Sequence, residues 1–325
     1  MDKIKLILGT MTFGPQVTAE DSQTMVHRFF QAGYHELDTA YVYNEGETER
    51  ILGLILKGTP EDSFVLGTKV NPRITGKLDA NAVTMQFNES LRRLRRNTLD
   101  MLYFHFPDPH TPIEGALEAC ADLYERGKFK ELGLSNFPAW MVVDIWHRCK
   151  EHGWPRPSVY QGLYNGLSRK AECELFPALR KLGMRFYAYN PLAGGLLTGK
   201  YSSYENSPSP GRFTFRPNYR NRYWKRSFFD AVYVLKTRCR QAEINLAEAA
   251  YRWLAYHSFL DQAEGDGIII GASKLRHLEQ NLTAIEKGPL PESIVSDFSA
   301  AWEEVKSESP DYFRCTSGSN VNGKK

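Results

Sequence analysis

Long apolar runs, paired-cysteine motifs and a strong excess of either charge are all missing from this chain, and each absence closes off a class of protein. No apolar stretch approaches the ~20 residues that a bilayer-spanning helix needs, which excludes a helical membrane protein. The 5 cysteines, Cys120, Cys149, Cys173, Cys239 and Cys315, are odd in number, far apart and without a Cys-x-x-Cys pair. That spacing argues against a zinc site or a disulfide framework and suits a reducing compartment, so a cytoplasmic location is expected. The opening segment is too short in its apolar part for a secretory signal and has no cleavage pattern, which makes the triplets Asn88-Glu-Ser and Asn281-Leu-Thr chance matches to a glycosylation site. A net charge of +3 excludes a dominant basic stripe, and no nucleic-acid or membrane partner is expected. Basic residues cluster only locally, at 92–96 and 212–226, and the first cluster reads as the solvated face of a helix.

What is present is a soluble globular composition, 42% hydrophobic and 24% charged, in 325 residues. That length fits two ordinary domains or one large barrel. Strand-like and helix-like patterns alternate from end to end, the signature of a parallel sheet with helical crossovers. Strands are expected at 5–8, 34–37, 64–67, 101–104, 132–134, 158–160, 185–188 and 267–270. Helices are expected at 20–31, 47–56, 79–94, 113–126, 139–151, 171–182, 247–257 and 275–285, with an extra one at 293–307. Gly33, Gly127, Gly153 and Gly183 stand where helices should stop. Eight such units match a (β/α)8 barrel. The doubly wound alternative requires Gly-x-Gly-x-x-Gly after the first strand, which Gly9-Thr-Met-Thr-Phe-Gly14 does not supply. A single barrel is therefore expected over 1–314, with a disordered tail at 315–325. The irregular stretch 202–224 reads as a lid, since long loops in compact domains are commonly functional.

Asp38, Tyr43, Lys69 and His105 follow one another at or just beyond the ends of the second, third and fourth expected strands. Each alone has a bland reading, Asp38 as a helix cap and His105 as a satisfied core histidine. Together they put an acid, a phenol, an amine and an imidazole at the carboxyl ends of parallel strands, where barrels build active sites. His27, His35, His110, His147, His152 and His257 have no such placement and are expected to pack or to face solvent. Gly194-Gly-Leu-Leu-Thr-Gly199-Lys200 nearly spells a nucleotide phosphate loop, but Tyr201 stands where a magnesium-holding Ser or Thr is required. The turn reads instead as a place where backbone approaches a ligand closely.

Leu37-Asp-Thr-Ala-Tyr-Val-Tyr43, Gly67-Thr-Lys69, Tyr103-Phe-His105 and Gly133-Leu-Ser-Asn-Phe137 together resemble the aldo-keto reductase superfamily. Val159-Tyr-Gln-Gly-Leu-Tyr-Asn165, the segment from Phe186 to Lys200, Tyr219-Arg-Asn-Arg-Tyr-Trp-Lys225 and Pro310-Asp-Tyr-Phe-Arg314 resemble its aflatoxin-aldehyde reductase branch. The resemblance implies NADPH as cofactor and reduction of an aldehyde or ketone to an alcohol. It casts Tyr43 as general acid, Lys69 as the charge that lowers the phenol's pKa, Asp38 as the partner fixing Lys69, and His105 as the hydrogen-bond donor that steers the carbonyl.

For the cofactor, the resemblance implies Ser135, Asn136 and Gln161 at the carboxamide, Tyr189 stacked on the ring, and the turn Asn190, Pro191, Leu192, Gly194, Leu196 at the pyrophosphate with Lys200 beside it. Gly271, Ser273, Lys274, Arg276 and His277 open a helix, a ready anion site for the 2′-phosphate, and Gln280 and Asn281 reach toward the adenine. Where many relatives place Arg or Gln four residues before this Asn, the chain has His277. Met11, Phe106, Phe213, Tyr223 and Trp224 are candidates for an aromatic substrate mouth, with lid packing as the alternative for each. Arg222 and Arg314 match positions that anchor a substrate carboxylate or second carbonyl. Expected partners are a small carbonyl substrate and, by resemblance, a second copy in a homodimer. The rival reading is a channel-partner-like sensor, in which bound NADPH matters more than turnover.

Overall fold

The computed structural model describes residues 4–206, 212–216 and 218–314. Eight strands, β1 (Lys5–Gly9), β2 (Glu36–Asp38), β3 (Val65–Val70), β4 (Leu99–Phe104), β5 (Phe129–Ser135), β6 (Pro157–Leu163), β7 (Arg185–Tyr189) and β8 (Gly267–Ile270), pair in sequence order, and β8 returns to β1. Every pairing is parallel, so the sheet closes into the expected barrel. The helices are α1 (Ala19–Gln31), α2 (Glu47–Ile55), α3 (Pro72–Thr75), α4 (Ala80–Leu94), α5 (Glu114–Glu125), α6 (Ala139–His152), α7 (Leu175–Leu182), α8 (Arg212–Phe215), α9 (Asn218–Tyr223), α10 (Arg226–Gln241), α11 (Leu246–Tyr256), α12 (Leu275–Glu286) and α13 (Glu292–Val305).

Local chemistry sets these boundaries. Thr18, Asp79 and Asn245 accept backbone hydrogen bonds at the starts of α1, α4 and α11, satisfying donors that a helix leaves orphaned. The expected helix over 171–182 is broken. Pro177 lacks an N–H and is tolerated only in a first turn, so α7 starts at Leu175 after a separate 3-10 turn, Lys170–Glu172. The sequence reading passed over α10 entirely. Its Phe228, Phe229, Val232, Leu235 and Cys239 repeat at helical spacing and are buried, but the basic residues around them mask the pattern. The 202–224 stretch is likewise not structureless, since it holds α8 and α9. The tail expected at 315–325 lies outside the described residues.

Strand alternation divides the core in two. One face of the strands packs on the helices; the other fills the barrel with Ile7, Met101, Tyr103, Val159, Tyr187 and Ile269. Gly133 lies opposite Tyr103 in the β4–β5 register, and a Cβ there would sit 2.3 Å from the Tyr103 ring. Only glycine leaves room for that phenol to plug the barrel beneath Lys69, whose ammonium is 5.5 Å from the ring centroid.

Candidate active site

Asp38 ends β2, Lys69 lies within β3 and His105 follows β4 by one residue, so three of the four expected residues share one end of the barrel. Lys69 is fully buried, and its Nζ donates to Asp38 Oδ1 at 2.5 Å and to the Thr39 carbonyl at 2.6 Å. Gln161 Nε2 donates to the same Asp38 oxygen at 2.8 Å. Burial lowers the Lys69 pKa, while the Asp38 carboxylate pulls it back up. The half-buried Tyr43 joins the group from the β2 loop, its ring centroid 5.4 Å from Lys69 Nζ and 5.9 Å from the His105 ring, edge to face.

The electrostatics differ from the expectation at one point. The Tyr43 pKa is raised well above its ordinary value, by burial first and then by the Asp38 charge. Burial and the Asp38 charge outweigh whatever the Lys69 ammonium contributes, and among the described residues that ammonium hydrogen-bonds Asp38 and Thr39, with no hydrogen bond to the Tyr43 hydroxyl. His105 is pushed well below its ordinary range by burial and by the Lys69 and Arg73 charges, so its imidazole is neutral. Its Nδ1 is buried with no partner among the described residues.

A buried support under the Tyr43 loop went unread in the sequence. Asn44 and Glu45 have φ of 49° and 57°, and Asn44 is held there by donating Nδ2 to the carbonyls of Met11 and Phe13 and to Thr48. Arg93 donates to the Tyr41 carbonyl at 2.9 Å and pairs with the fully buried Glu49 at 3.2 Å, which also accepts from Thr68. The 92–96 cluster is therefore not simply a solvated face: the side chains of Arg93 and Arg96 are each only 8% exposed. Helical spacing could not show this, because the loop that covers Arg93 comes from fifty residues earlier.

On the expected cofactor side, Ser135, Asn136 and Gln161 are buried at the ends of β5 and β6. Asn136 is fully engaged within the protein, donating to the His105 carbonyl at 2.8 Å and Ser135 Oγ at 2.9 Å and accepting from Tyr189 at 2.7 Å. The turn after β7 runs through Asn190, Ala193, Gly194 and Gly195, all at positive φ, and carries Pro191, Leu192 and a buried Leu196 to the exposed Lys200. A Cβ on Gly195 or Gly271 would meet nothing within 4 Å, so both backbones face open space. Ser273, Lys274 and Arg276 are exposed where α12 begins, and the Lys274 N-cap makes no side-chain capping bond. Burial lowers the His277 pKa, and the charges of Arg276, Lys274 and Lys200 lower it further, so these cations share one neighbourhood. Gln280 is exposed and Asn281 buried further along α12.

Three of the aromatic candidates for the mouth take the lid-packing alternative. Tyr223 is fully buried, with its hydroxyl accepting from Asn165, and it packs on Phe228 instead of facing an opening. Phe213 and Trp224 pack with Tyr201 and Phe229 inside the lid, and Trp224 Nε1 donates to the Tyr204 carbonyl. Met11 is half-buried next to the Asn44 anchor. Phe106 stays at the site, stacked on His105 at 4.6 Å. Arg314 reaches it: its N–H donates to the Asn136 carbonyl at 2.9 Å and its guanidinium lies 5.8 Å from the Phe106 centroid. Arg222 lies 4.5 Å from the Tyr219 ring and has a buried Nη1 without a partner among the described residues. Arg73, Arg212, Arg216 and Tyr219 were not anticipated. Arg216 donates to Asn44 at 2.8 Å, tying the lid to the Tyr43 loop, while Arg212 sits 5.4 Å from Tyr219. No metal-holding cluster and no helix long and apolar enough to cross a membrane occur among the described residues.

A closed parallel barrel with a buried lysine and carboxylate, a half-buried phenol and a neutral imidazole at one mouth is the layout of an enzyme. The aldo/keto reductase family profile matches residues 5–303, and the chain belongs to that family, whose chemistry is carbonyl reduction. It is 45% identical over 320 residues to the human Aldo-keto reductase family 7 member A3, covering 95% of this chain and 96% of that protein. It is 44% identical over 324 residues to the human Aflatoxin B1 aldehyde reductase member 2, covering 96% of this chain and 90% of that protein. A fungal relative, Aldo-keto reductase pigE of Monascus ruber, is 32% identical over 315 residues, 91% of each chain.

Proposed function

We propose that the chain reduces aldehydes or ketones to alcohols with NADPH, using Tyr43 as the proton donor. The carrying observation is the buried Lys69–Asp38 pair lying beneath a phenol and a neutral imidazole. When bound, NADPH would supply the hydride. The chain's residues fit such a group. Asn190 Nδ2 is buried without a partner among the described residues, the Gly195 and Gly271 backbones face open space, and the cations around His277 suit a 2′-phosphate. Ser135 and Gln161 would hold the carboxamide, with Tyr189 against the ring. Asn136 serves at one remove, by fixing Ser135, Tyr189 and the His105 backbone.

A phenol whose pKa is raised keeps its proton at neutral pH, which is the state a donor requires. Transfer is then drawn by the far more basic alkoxide forming on the substrate. His105, neutral, donates a hydrogen bond to the carbonyl oxygen and orients it, and Lys69 holds positive charge near the phenol as the proton leaves. Arg222 and Arg314 suit a substrate carboxylate or second carbonyl, which favours semialdehyde acids and dialdehydes; a carbonyl in a specialised biosynthetic route fits the same chemistry. Loss of NADPH absorbance in the presence of a panel of such carbonyls tests the proposal. Tight NADPH binding with no consumption would refute it in favour of a sensor.

A further inference from the structure

Arg93 stands on α4, outside the barrel wall, yet its guanidinium lies against the loop that carries Tyr43. Nη1 donates to the Tyr41 carbonyl at 2.9 Å, the guanidinium carbon is 4.2 Å from the Tyr41 ring centroid, and a Cβ placed on Gly46 would fall 2.4 Å from that carbon. The loop therefore meets the cation at both ends, with Tyr43 between. Two carboxylates fix the head itself: Nε donates to Glu89 one turn back on α4 at 2.8 Å, and Nη1 pairs with the fully buried Glu49 at 3.2 Å. Glu49 also accepts from Thr68 Oγ1 at 2.7 Å, and Thr68 precedes Lys69 in β3. One guanidinium thus joins the phenol's loop to the lysine's strand, alongside the bond from the Tyr41 N–H to the Lys69 carbonyl at 3.2 Å.

The loop needs such a hold. Asn44, Glu45 and Gly46 follow one another at φ of 49°, 57° and 87°, and left-handed backbone is unfavourable for the two that carry a Cβ, so the run relaxes unless its surroundings oppose it. Asn44 opposes it from the barrel side through Met11, Phe13 and Thr48. Arg93 opposes it from the outside. A planar fork suits the task, since it stacks on Tyr41 while its edge serves a carbonyl and two carboxylates; an ammonium is a point charge and cannot do both. The pair also reaches Lys69 electrostatically: burial lowers the Lys69 pKa, and Asp38 first, then Glu49, raises it again.

We propose that Arg93, through Tyr41 and Glu49, is a positioning residue that holds the Tyr43 hydroxyl in its donating place beside Lys69. The proposal rests on the reductase reading above and deepens it by naming what keeps the proton donor in place. Arg93 acts only through these neighbours. A reacting group misplaced by about 1 Å loses ~10²-fold in rate, which sets the scale of the effect.

The test is the single-turnover rate of NADPH oxidation by a saturating aldehyde in the full chain and in Arg93→Met, Arg93→Lys and Arg180→Met. Arg180 pairs with the buried Asp266 away from the site, so its loss reports a broken buried ion pair alone. Arg93→Met should slow the step at least ~30-fold, with the NADPH Kd and the half-saturating aldehyde concentration held within ~3-fold. Arg93→Lys, which keeps the charge without the fork, should fall between Arg93→Met and the unaltered chain, and Arg180→Met should lower the melting temperature without slowing the step. In a Tyr43→Phe background Arg93→Met should cost nothing more, because its effect passes through the phenol. A loss no larger than that of Arg180→Met, a loss carried by Kd or half-saturation, or a loss that adds in full to Tyr43→Phe overturns the proposal. Amide exchange separates its failure from that of the reductase reading, since it needs no turnover. The Tyr41 and Tyr43 N–H groups, bonded to the carbonyls of Lys69 and Ala40, should exchange at least ~10-fold faster in Arg93→Lys, while amides of β7 keep their rate. Unchanged exchange at Tyr41 and Tyr43 overturns the proposal even if no aldehyde is reduced.

Discussion

Replacing Asp38 with Asn should cost both activity and stability, with a pH dependence that distinguishes electrostatic loss from mere disruption. Asp38 Oδ1 receives Lys69 Nζ at 2.5 Å and Gln161 Nε2 at 2.8 Å, and Lys69 has no exposed surface. Asn preserves shape and one acceptor but removes the charge, leaving a buried ammonium with only the Thr39 carbonyl. At an effective dielectric of about 20, two unit charges about 4 Å apart interact by ~4 kcal/mol. Breaking one partner of a buried pair costs roughly 3–5 kcal/mol. The sign with pH follows from Lys69. Its folded pKa is already depressed by burial, and losing Asp38 depresses it further. Well below that pKa the ammonium stays buried and the full penalty applies. As pH rises through it, the folded state sheds the proton while the unfolded chain keeps one until about 10.4, so stability recovers. Urea denaturation of both proteins at several pH values should therefore show a gap of roughly 3–5 kcal/mol near pH 6 that narrows toward pH 9. A gap under about 1 kcal/mol, or one constant across that range, would refute the reasoning.

Tyr43→Phe should lower kcat by about 10²- to 10⁴-fold while NADPH binding, read by fluorescence, and melting temperature hold; retained turnover would remove Tyr43 as the donor. Because burial keeps His105 neutral, kcat/KM should show no inflection of histidine origin between pH 6.5 and 8. An inflection there that disappears in His105→Asn would contradict this. The depressed His105 pKa also means that the unfolded chain takes up a proton before the folded one as pH falls below about 6.5, so His105 contributes instability on the acid side. Lys274→Ala with Arg276→Ala should raise the NADPH Kd by at least ~10-fold and leave that of NADH nearly unchanged, by calorimetry; equal losses would put the 2′-phosphate elsewhere.

Much of the barrel was legible because each strand is a short apolar run followed by a periodic helix, and that pattern is local. Asp38, Lys69 and His105 were readable because they interrupt or end such runs. Tyr43 needed its motif, since it sits in a loop. What escaped the sequence is set by distant segments meeting. Arg93 looks like any cation on α4 until the Tyr41 carbonyl descends on it, and Arg73 looks like a turn residue until Phe106 arrives beneath it. The upward shift of Tyr43 escaped for the same reason, because the burial and the Asp38 charge that cause it come from packing that the run Gly67-Thr-Lys69 does not show. Tyr223, Phe213 and Trp224 show the converse, aromatic residues whose company in the lid outweighs their closeness to the mouth in the chain.

A sheet that joins its last strand to its first has no rim, so among the described residues the barrel offers no unpaired ladder with which to recruit another polypeptide by strand addition. A companion chain, including a twin of this one, has to be met by the outer helices and loops. There the exposed Trp140 of α6, and separately Tyr233 and Val234 of α10, offer apolar footing. Such footing would keep association on the outer helices, away from the reacting groups at the carboxyl ends of the strands.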